Sequence, residues 1–247
     1  MSLFEELTEG LPRQGPGSTE ATLRALAMTS GLPPHAKILD VGCGSGAQTI
    51  VLAQATRGNI VALDLHGRFL KELQERARAA GVADQITTVK QSMFAMDFPA
   101  DSIDLIWSEG AIYIIGFAAG LSTWRRFLKP GGWMAVSELS WIAPNPPQEP
   151  REYWASHYPG MRSFEQNCEI VAEAGYGDLQ TFLLPAEDWW NNYYGPGEAR
   201  VLELRAKYAG DPRTCETLDN LRREYDLFRA YSDRYGYVFY VMRKPER

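Results

Sequence analysis

Three glycines at alternate positions, Gly42, Gly44 and Gly46, follow an apolar run that carries an acid, Lys37-Ile38-Leu39-Asp40-Val41. Ala47–Ala53 then continues with helical spacing, so the stretch reads as strand, tight turn and helix. Residues without a Cβ tolerate positive φ and let a ligand approach the backbone, here around Cys43 and Ser45. The helix that follows offers free N–H groups and a positive dipole end. A second acid, Asp64, stands 18 positions after Gly46 at the end of another short apolar run, Ile60–Asp64. A carboxylate there can accept both hydroxyls of a ribose, as for a nucleoside lying across the first two strands. The competing reading of Asp64 is a cap for the next helix.

The turn alone leaves the ligand open, because Gly42-x-Gly44-x-x-Ala47 also satisfies the fingerprint of nicotinamide and flavin enzymes. Asp40 discriminates. In dinucleotide sites the position two before the first glycine is ordinarily apolar, since a pyrophosphate nearby repels a carboxylate. An acid suits a cationic ligand without phosphate. S-adenosylmethionine, with an ammonium, a sulfonium and a carboxylate, is such a ligand: the turn's N–H groups take the carboxylate and Asp40 favours the positive end, directly or through water.

The elements that position these residues alternate. Strands are expected at 37–42, 60–64, 86–89, 103–107 and from 133. Helices are expected from Ser18 or Thr19 to about Met28, from Ala47, over 69–80 and over 117–128, the last closed by Lys129-Pro130-Gly131-Gly132. Such alternation predicts a doubly wound, mostly parallel α/β sheet whose ligand edge lies at the strands' carboxyl ends. Later come a helix over 164–174, a strand near 179–184, a long helical insertion over 186–234 and a last apolar run, Tyr237–Met242.

The 247 residues, 45% of them apolar, suffice for one large domain, and a net charge of −6 gives no general attraction to nucleic acid or anionic lipid. Three widely spaced cysteines (43, 168, 215) argue against a disulfide framework, and the histidines show no zinc-ligand spacing. No apolar run is long enough to span a bilayer. The expectation is a cytoplasmic protein with no membrane or nucleic-acid partner; a homodimer stays open.

Taken together, Leu39–Gly46, Asp64, Asp101-Ser102-Ile103-Asp104-Leu105-Ile106 and Leu128-Lys129-Pro130-Gly131-Gly132 resemble the class I S-adenosylmethionine-dependent methyltransferases. Within that class they resemble the type-11 group, which includes ubiquinone and menaquinone biosynthesis enzymes. The resemblance covers about residues 20–140. It implies a seven-stranded sheet of order 3-2-1-4-5-7-6 with an antiparallel last strand. It also implies that Leu65 lies on the adenine, that Ser92 and Met93 stand where the family often has an adenine-binding Asp, and that Ser108, Glu109 and Gly110 flank the methyl donor. A single domain is expected, with a core of about 20–140, 163–184 and 235–247 and lid segments 1–17, 141–160 and 186–234.

The function expected is metal-independent methyl transfer to a small acceptor. Aromatic residues in the lid segments can hold an apolar, aromatic or cationic molecule. If a general base is needed, Glu109 is the first candidate, Tyr113 the second and His157 the third. Asn145-Pro146-Pro147-Gln148 reads as an ordinary Pro-rich loop, since it follows the wrong strand for a nitrogen-methylating motif and lacks the aromatic. A nicotinamide oxidoreductase and a non-catalytic donor-binding subunit are the alternatives.

Overall fold

Alternation along the strands builds a sheet with two buried faces. The computed structural model describes residues 2–246. β1 (Lys37–Val41) pairs in parallel with β2 (Asn59–Asp64) and β4 (Ile103–Ser108), and β2 pairs with β3 (Ile86–Lys90). β5 (Leu128–Trp141) follows β4 in parallel, while a two-residue β6 (Arg162–Ser163) touches only β5. β8 (Tyr235–Arg243) runs antiparallel between β5 and β7 (Gly177–Leu183). The order β3-β2-β1-β4-β5-β8-β7 is the seven-stranded arrangement expected, with β6 an added edge piece.

Period-two packing assigns each strand residue to a face. Ile38, Trp107, Phe239 and Val241 join a core shared with α2 (Thr19–Ala27), α3 (Ala47–Ala55) and the insertion helices. Leu39, Ile106, Tyr240 and Met242 join the opposite core, shared with α5 (Phe117–Trp124) and α7 (Phe164–Glu173). β1 and β8 are therefore apolar on both sides, as strands covered on both faces must be.

Several expectations shift. The helix from Phe117 stops at Trp124, a 3-10 turn covers Arg125–Phe127, and Leu128 already pairs with Ile103. Lys129-Pro130-Gly131-Gly132 is consequently a bulge inside β5 rather than a turn before it, with Gly131 at φ 74° and Lys129 Nζ 2.7 Å from Asp104 Oδ1. The Pro-rich segment holds α6 (Gln148–His157), with Asn145 left-handed at φ 51° just before it. Proline is tolerated in α6 because Pro150 stands in its first turn.

The insertion consists of α8 (Ala186–Trp189), a π-turn (Trp190–Tyr194), α9 (Gly195–Lys207) and α10 (Pro212–Tyr231). Its α9 packs on α1 (Leu3–Thr8), where Arg200 Nε donates to Glu6 O at 2.9 Å and Lys207 Nζ to Glu6 Oε2 at 2.6 Å. Met1 and Arg247, at the outer ends of the expected lid and core ranges, lie outside the described residues.

Gly46 shows why the turn tolerates no side chain. At φ 86°, a Cβ there would sit 2.1 Å from Leu73 Cδ1 of α4 (Gly67–Ala79). Gly81 is also left-handed, at φ 69°, but nothing lies within 4 Å of a Cβ built on it. Gly81→Ala should cost about 1 kcal/mol from backbone strain, and Gly46→Ala about 2–4 kcal/mol because overpacking is added. Urea denaturation of the two variants checks the difference.

Candidate functional site

The carboxyl ends of the first four strands converge on one cavity of about 350 Å³. β1 contributes Gly42, Cys43 and Gly44; β2 contributes Asp64 and Leu65; the segment after β3 contributes Gln91 to Phe94. β4 contributes Glu109 and Gly110, with Tyr113 in the 3-10 turn that follows. The roof is the strap Arg13–Pro16, with Phe4 from α1 and Tyr193 from the π-turn. Five large apolar side chains that are otherwise unusually exposed, Phe4, Leu65, Phe94, Tyr113 and Ile114, line this cavity. Leu65 and Phe94 are 59% and 64% exposed, a concentration of apolar surface that marks a binding site rather than random surface.

At the turn, Asp64 accepts from the backbone. Gly44 N donates to its Oδ2 at 3.0 Å and His66 N to its Oδ1 at 2.8 Å. Each carboxylate oxygen retains a lone pair, so a ribose diol still has acceptors there. Ser45 N donates to Gln14 Oε1 at 2.8 Å, and a Cβ on Gly44 would meet that oxygen at 2.7 Å. Gln14 Nε2 and Ser45 Oγ are buried without hydrogen-bond partners. Gln14 lines the cavity, so a polar ligand group there would satisfy its amide, whereas Ser45 is buried off the wall.

Four of the expected site residues stand back from this wall. Asp40 is fully buried beneath the turn, where Thr49 Oγ1 donates to Oδ2 at 2.6 Å and Gln48 Nε2 to Oδ1 at 3.3 Å. It reaches a ligand through the wall residue Gln48 and through its field, not by direct contact. Burial pushes its carboxyl up to about 7, against the pull of Thr49 and Gln48, with Glu109 and Asp64 adding repulsion. Gly46 serves helix packing. Ser108 Oγ donates to Val41 O at 2.9 Å, tying β4 to β1. His157 ends α6, stacked on Tyr153 at 3.9 Å with Nδ1 2.8 Å from Tyr153 O, and lines an adjoining cavity instead.

Glu109 is on the wall but is fully engaged. Arg13 pairs with Oε2, while Oε1 accepts from Thr22 Oγ1 at 2.7 Å and Trp107 Nε1 at 2.9 Å. Taking a proton would require breaking a buried ion pair, so in this arrangement Glu109 anchors the strap rather than serving as a free base. Tyr113 does face the cavity. Burial, followed by the fields of Glu224 and Glu138, raises its phenol pKa, so it is a hydrogen-bond donor at neutral pH.

A second cavity of about 280 Å³ opens beside the first, and the two share Gln14, Gly15, Pro16, Gly110, Tyr113 and Tyr193. Glu224 of α10 lines it, a residue that sequence reasoning missed. Its only local signal is an acid on the helix face shared by Leu221, Tyr225 and Phe228. Gln14 falls in the segment 1–17 expected as a lid, but no local signal sets its side chain against the glycine turn. Among the described residues, no three metal-ligating side chains converge, and no helix is long and apolar enough to cross a membrane.

Residues 38–132, the segment that builds the glycine turn and the first four strand ends, match a family described as "Methyltransferase domain". The match spans those residues alone, and the sheet order around them is that of the class I methyltransferase fold. The chain is similar to a sterol 24-C-methyltransferase of Yarrowia lipolytica, 34% identical over 133 residues that make up 52% of this chain and 34% of that protein. The chain spans about a third of the length of the sterol methyltransferases it matches. Over 92% of this chain and 85% of the other it is 24% identical to 27-O-demethylrifamycin SV methyltransferase of Amycolatopsis mediterranei. The fold of the chain is similar to that of a solved S-adenosylmethionine-dependent methyltransferase from Thiobacillus denitrificans in complex with S-adenosyl-L-homocysteine. The two share a TM-score of 0.80 at 19% identity, covering 98% of each chain.

The buried carboxylates Asp40 and Glu109 can each be tested through stability. The folded-state pKa of Asp40, about 7, lies above its unfolded value of about 3.8, so the folded state holds this proton more tightly. Its contribution to stability is full below pH 4 and is lost as pH rises toward 7. Relative to Asp40→Asn, the wild type without ligand should lose about 2–3 kcal/mol between pH 5 and 8, read by urea melts at each pH. Separately, Glu109→Ala should cost about 3–5 kcal/mol by stranding Arg13. The double variant Arg13→Ala/Glu109→Ala should recover much of that loss, a coupling that a double-mutant cycle measures.

Proposed function

We propose that this chain transfers the methyl group of S-adenosylmethionine to a small-molecule acceptor. The observation that carries this reading is the charge of the donor wall. Asp64 and Glu109 line it and Asp40 lies just beneath, whereas the basic side chains on it are Arg13, neutralised by Glu109, and exposed His66. Such a wall favours a cationic nucleoside and repels a pyrophosphate. The strap's unpartnered Gln14 Nε2 suits the amino-acid end, Asp64 the ribose, and Leu65, Met93 and Phe94 an adenine face. Ser92, in place of an adenine-binding acid, keeps its Oγ 3.3 Å from Phe94 N and offers the ring little beyond its hydroxyl.

When bound, the donor supplies a methyl carbon on a positively charged sulfur that departs as a neutral thioether. The protein's share is to place the two reactants in line and exclude water, because charge is dispersed during transfer. Arg13 and Glu109 hold the strap over the cavity, and Tyr113 and Tyr193 stand at the opening into the second chamber. The strap, α6 and the insertion thus act as lid segments over one domain. The relatives' names include transfer to a sterol carbon and to a rifamycin oxygen, so they do not choose the acceptor atom. The type-11 likeness concerns the donor half and carries no quinone acceptor with it.

S-adenosylhomocysteine at about 100 times its Kd should stabilise the protein by about 2.7 kcal/mol, roughly 5–10 °C in Tm for a chain of this size. NAD at the same concentration should not. Asp64→Ala should weaken that binding by about ten- to hundredfold, the value of hydrogen bonds to a charged acceptor. Stabilisation by NAD in place of S-adenosylhomocysteine would overturn the reading.

A further inference from the structure

The second chamber has a composition that the donor site does not explain. Six aromatic rings line it: Tyr113, Trp154, Tyr158, Trp189, Tyr193 and Tyr237. They hold one another in place, Tyr113 edge-on to Tyr158 at 5.8 Å and Trp189 against Tyr237 at 5.1 Å. Into the same space comes Glu224 of α10, steadied by the hydroxyls of Tyr194, 2.6 Å from Oε1, and Tyr153, 3.3 Å from Oε2. Among the described residues Glu224 has no ion-pair partner, and no Lys or Arg lines the chamber. His157 is the one other titratable nitrogen on the wall, and its Nδ1 is already committed to Tyr153 O. Behind Tyr158 lies a second buried acid, Glu138, whose Oε1 accepts from the Tyr158 hydroxyl at 2.6 Å and whose Oε2 has no partner.

Resting on the methyl-transfer reading, we propose that the acceptor is a small organic cation whose ammonium group is held in this chamber by the aromatic rings and by Glu224, as an anchor distinct from the atom that takes the methyl group, since an ammonium nitrogen has no lone pair to attack with. Ring faces attract cations through their quadrupoles, most strongly where water is excluded. A carboxylate set among apolar rings without a counter-ion is costly, and a cationic ligand supplies the missing charge. Burial pushes the Glu224 carboxyl up, against the pull of the Tyr194 and Tyr153 hydroxyls, and Glu138 is pushed up to about 8 by burial despite Tyr158. Removal from water is the leading cause of both shifts; the field of His157 eases that of Glu224, and Glu138 is largely protonated at neutral pH, which leaves Glu224 as the acid a cation would meet. A neutral phenol or hydrocarbon would fill the volume and leave that acid without a counter-ion.

The test compares shape-matched probes that differ in charge: choline against 3,3-dimethyl-1-butanol, and phenethylamine against 2-phenylethanol. Binding to the full chain is measured by calorimetry with and without S-adenosylhomocysteine. The cation of each pair should bind at least tenfold more tightly than its neutral partner. Glu224→Gln, which keeps the size and an acceptor for the Tyr194 hydroxyl and turns an amide donor to that of Tyr153, should remove most of that preference while leaving the Kd for S-adenosylhomocysteine within about twofold. Equal binding of cation and neutral partner by the wild type, or an undiminished preference in Glu224→Gln, would overturn the proposal. The wild-type comparison needs no variant to fold. Failure of S-adenosylhomocysteine to bind would strike the donor reading instead, and the arm run without it keeps the two outcomes separate.

Discussion

A carboxylate removed from water must be answered by donors, and Glu109 is answered from three directions at once. Arg13 comes from the strap, Thr22 from α2 and the Trp107 indole from β4 itself. Because neither charge of the Arg13–Glu109 pair can be left alone without a large penalty, the segment before the sheet is pinned across the end of the fourth strand. Everything that roofs the donor cavity hangs from that point. Gln14 reaches the glycine turn one residue later, and Gly17 N donates to Asp188 O at 3.1 Å, joining the strap to the insertion.

The sheet beneath was largely legible. Short apolar runs separated by helical spacing placed the strands and the family resemblance implied their order; Gly42, Cys43, Gly44 and Asp64, together with Leu65, Ser92 and Met93 from the resemblance, line one cavity. What misled was the step from strand end to ligand contact. Asp40 alternates inward beneath the turn, Ser108 is consumed in tying two strands, and Gly46 answers to Leu73. A period of two places a residue on a face, but only the neighbouring helix decides whether that face meets solvent, ligand or another side chain.

The lids were legible as helical and aromatic, not as architecture. Their residues meet the site through long-range packing: Glu224 is 86 positions from Glu138, yet both bear on Tyr113. The π-turn Trp190–Tyr194 runs into Gly195-Pro196-Gly197, where Pro196 has no N–H to continue the helical ladder, and its rings pack against Phe228 and Tyr225. Most of the rings, such as Trp154, Trp189 and Tyr194, are buried in that packing. A few of their edges make the wall of the second chamber.

The two chambers meet along a seam of six residues, Gln14, Gly15, Pro16, Gly110, Tyr113 and Tyr193. On one side of it the lining comes from loops of the sheet, and on the other mainly from helices added to the sheet. The molecule is therefore divisible in its tolerance to change. Side chains of α6 and α10 can be exchanged to suit a new guest while the hydrogen bonds of the glycine turn stay as they are. Alterations at the seam register on both halves, which makes those six positions the narrowest part of the design.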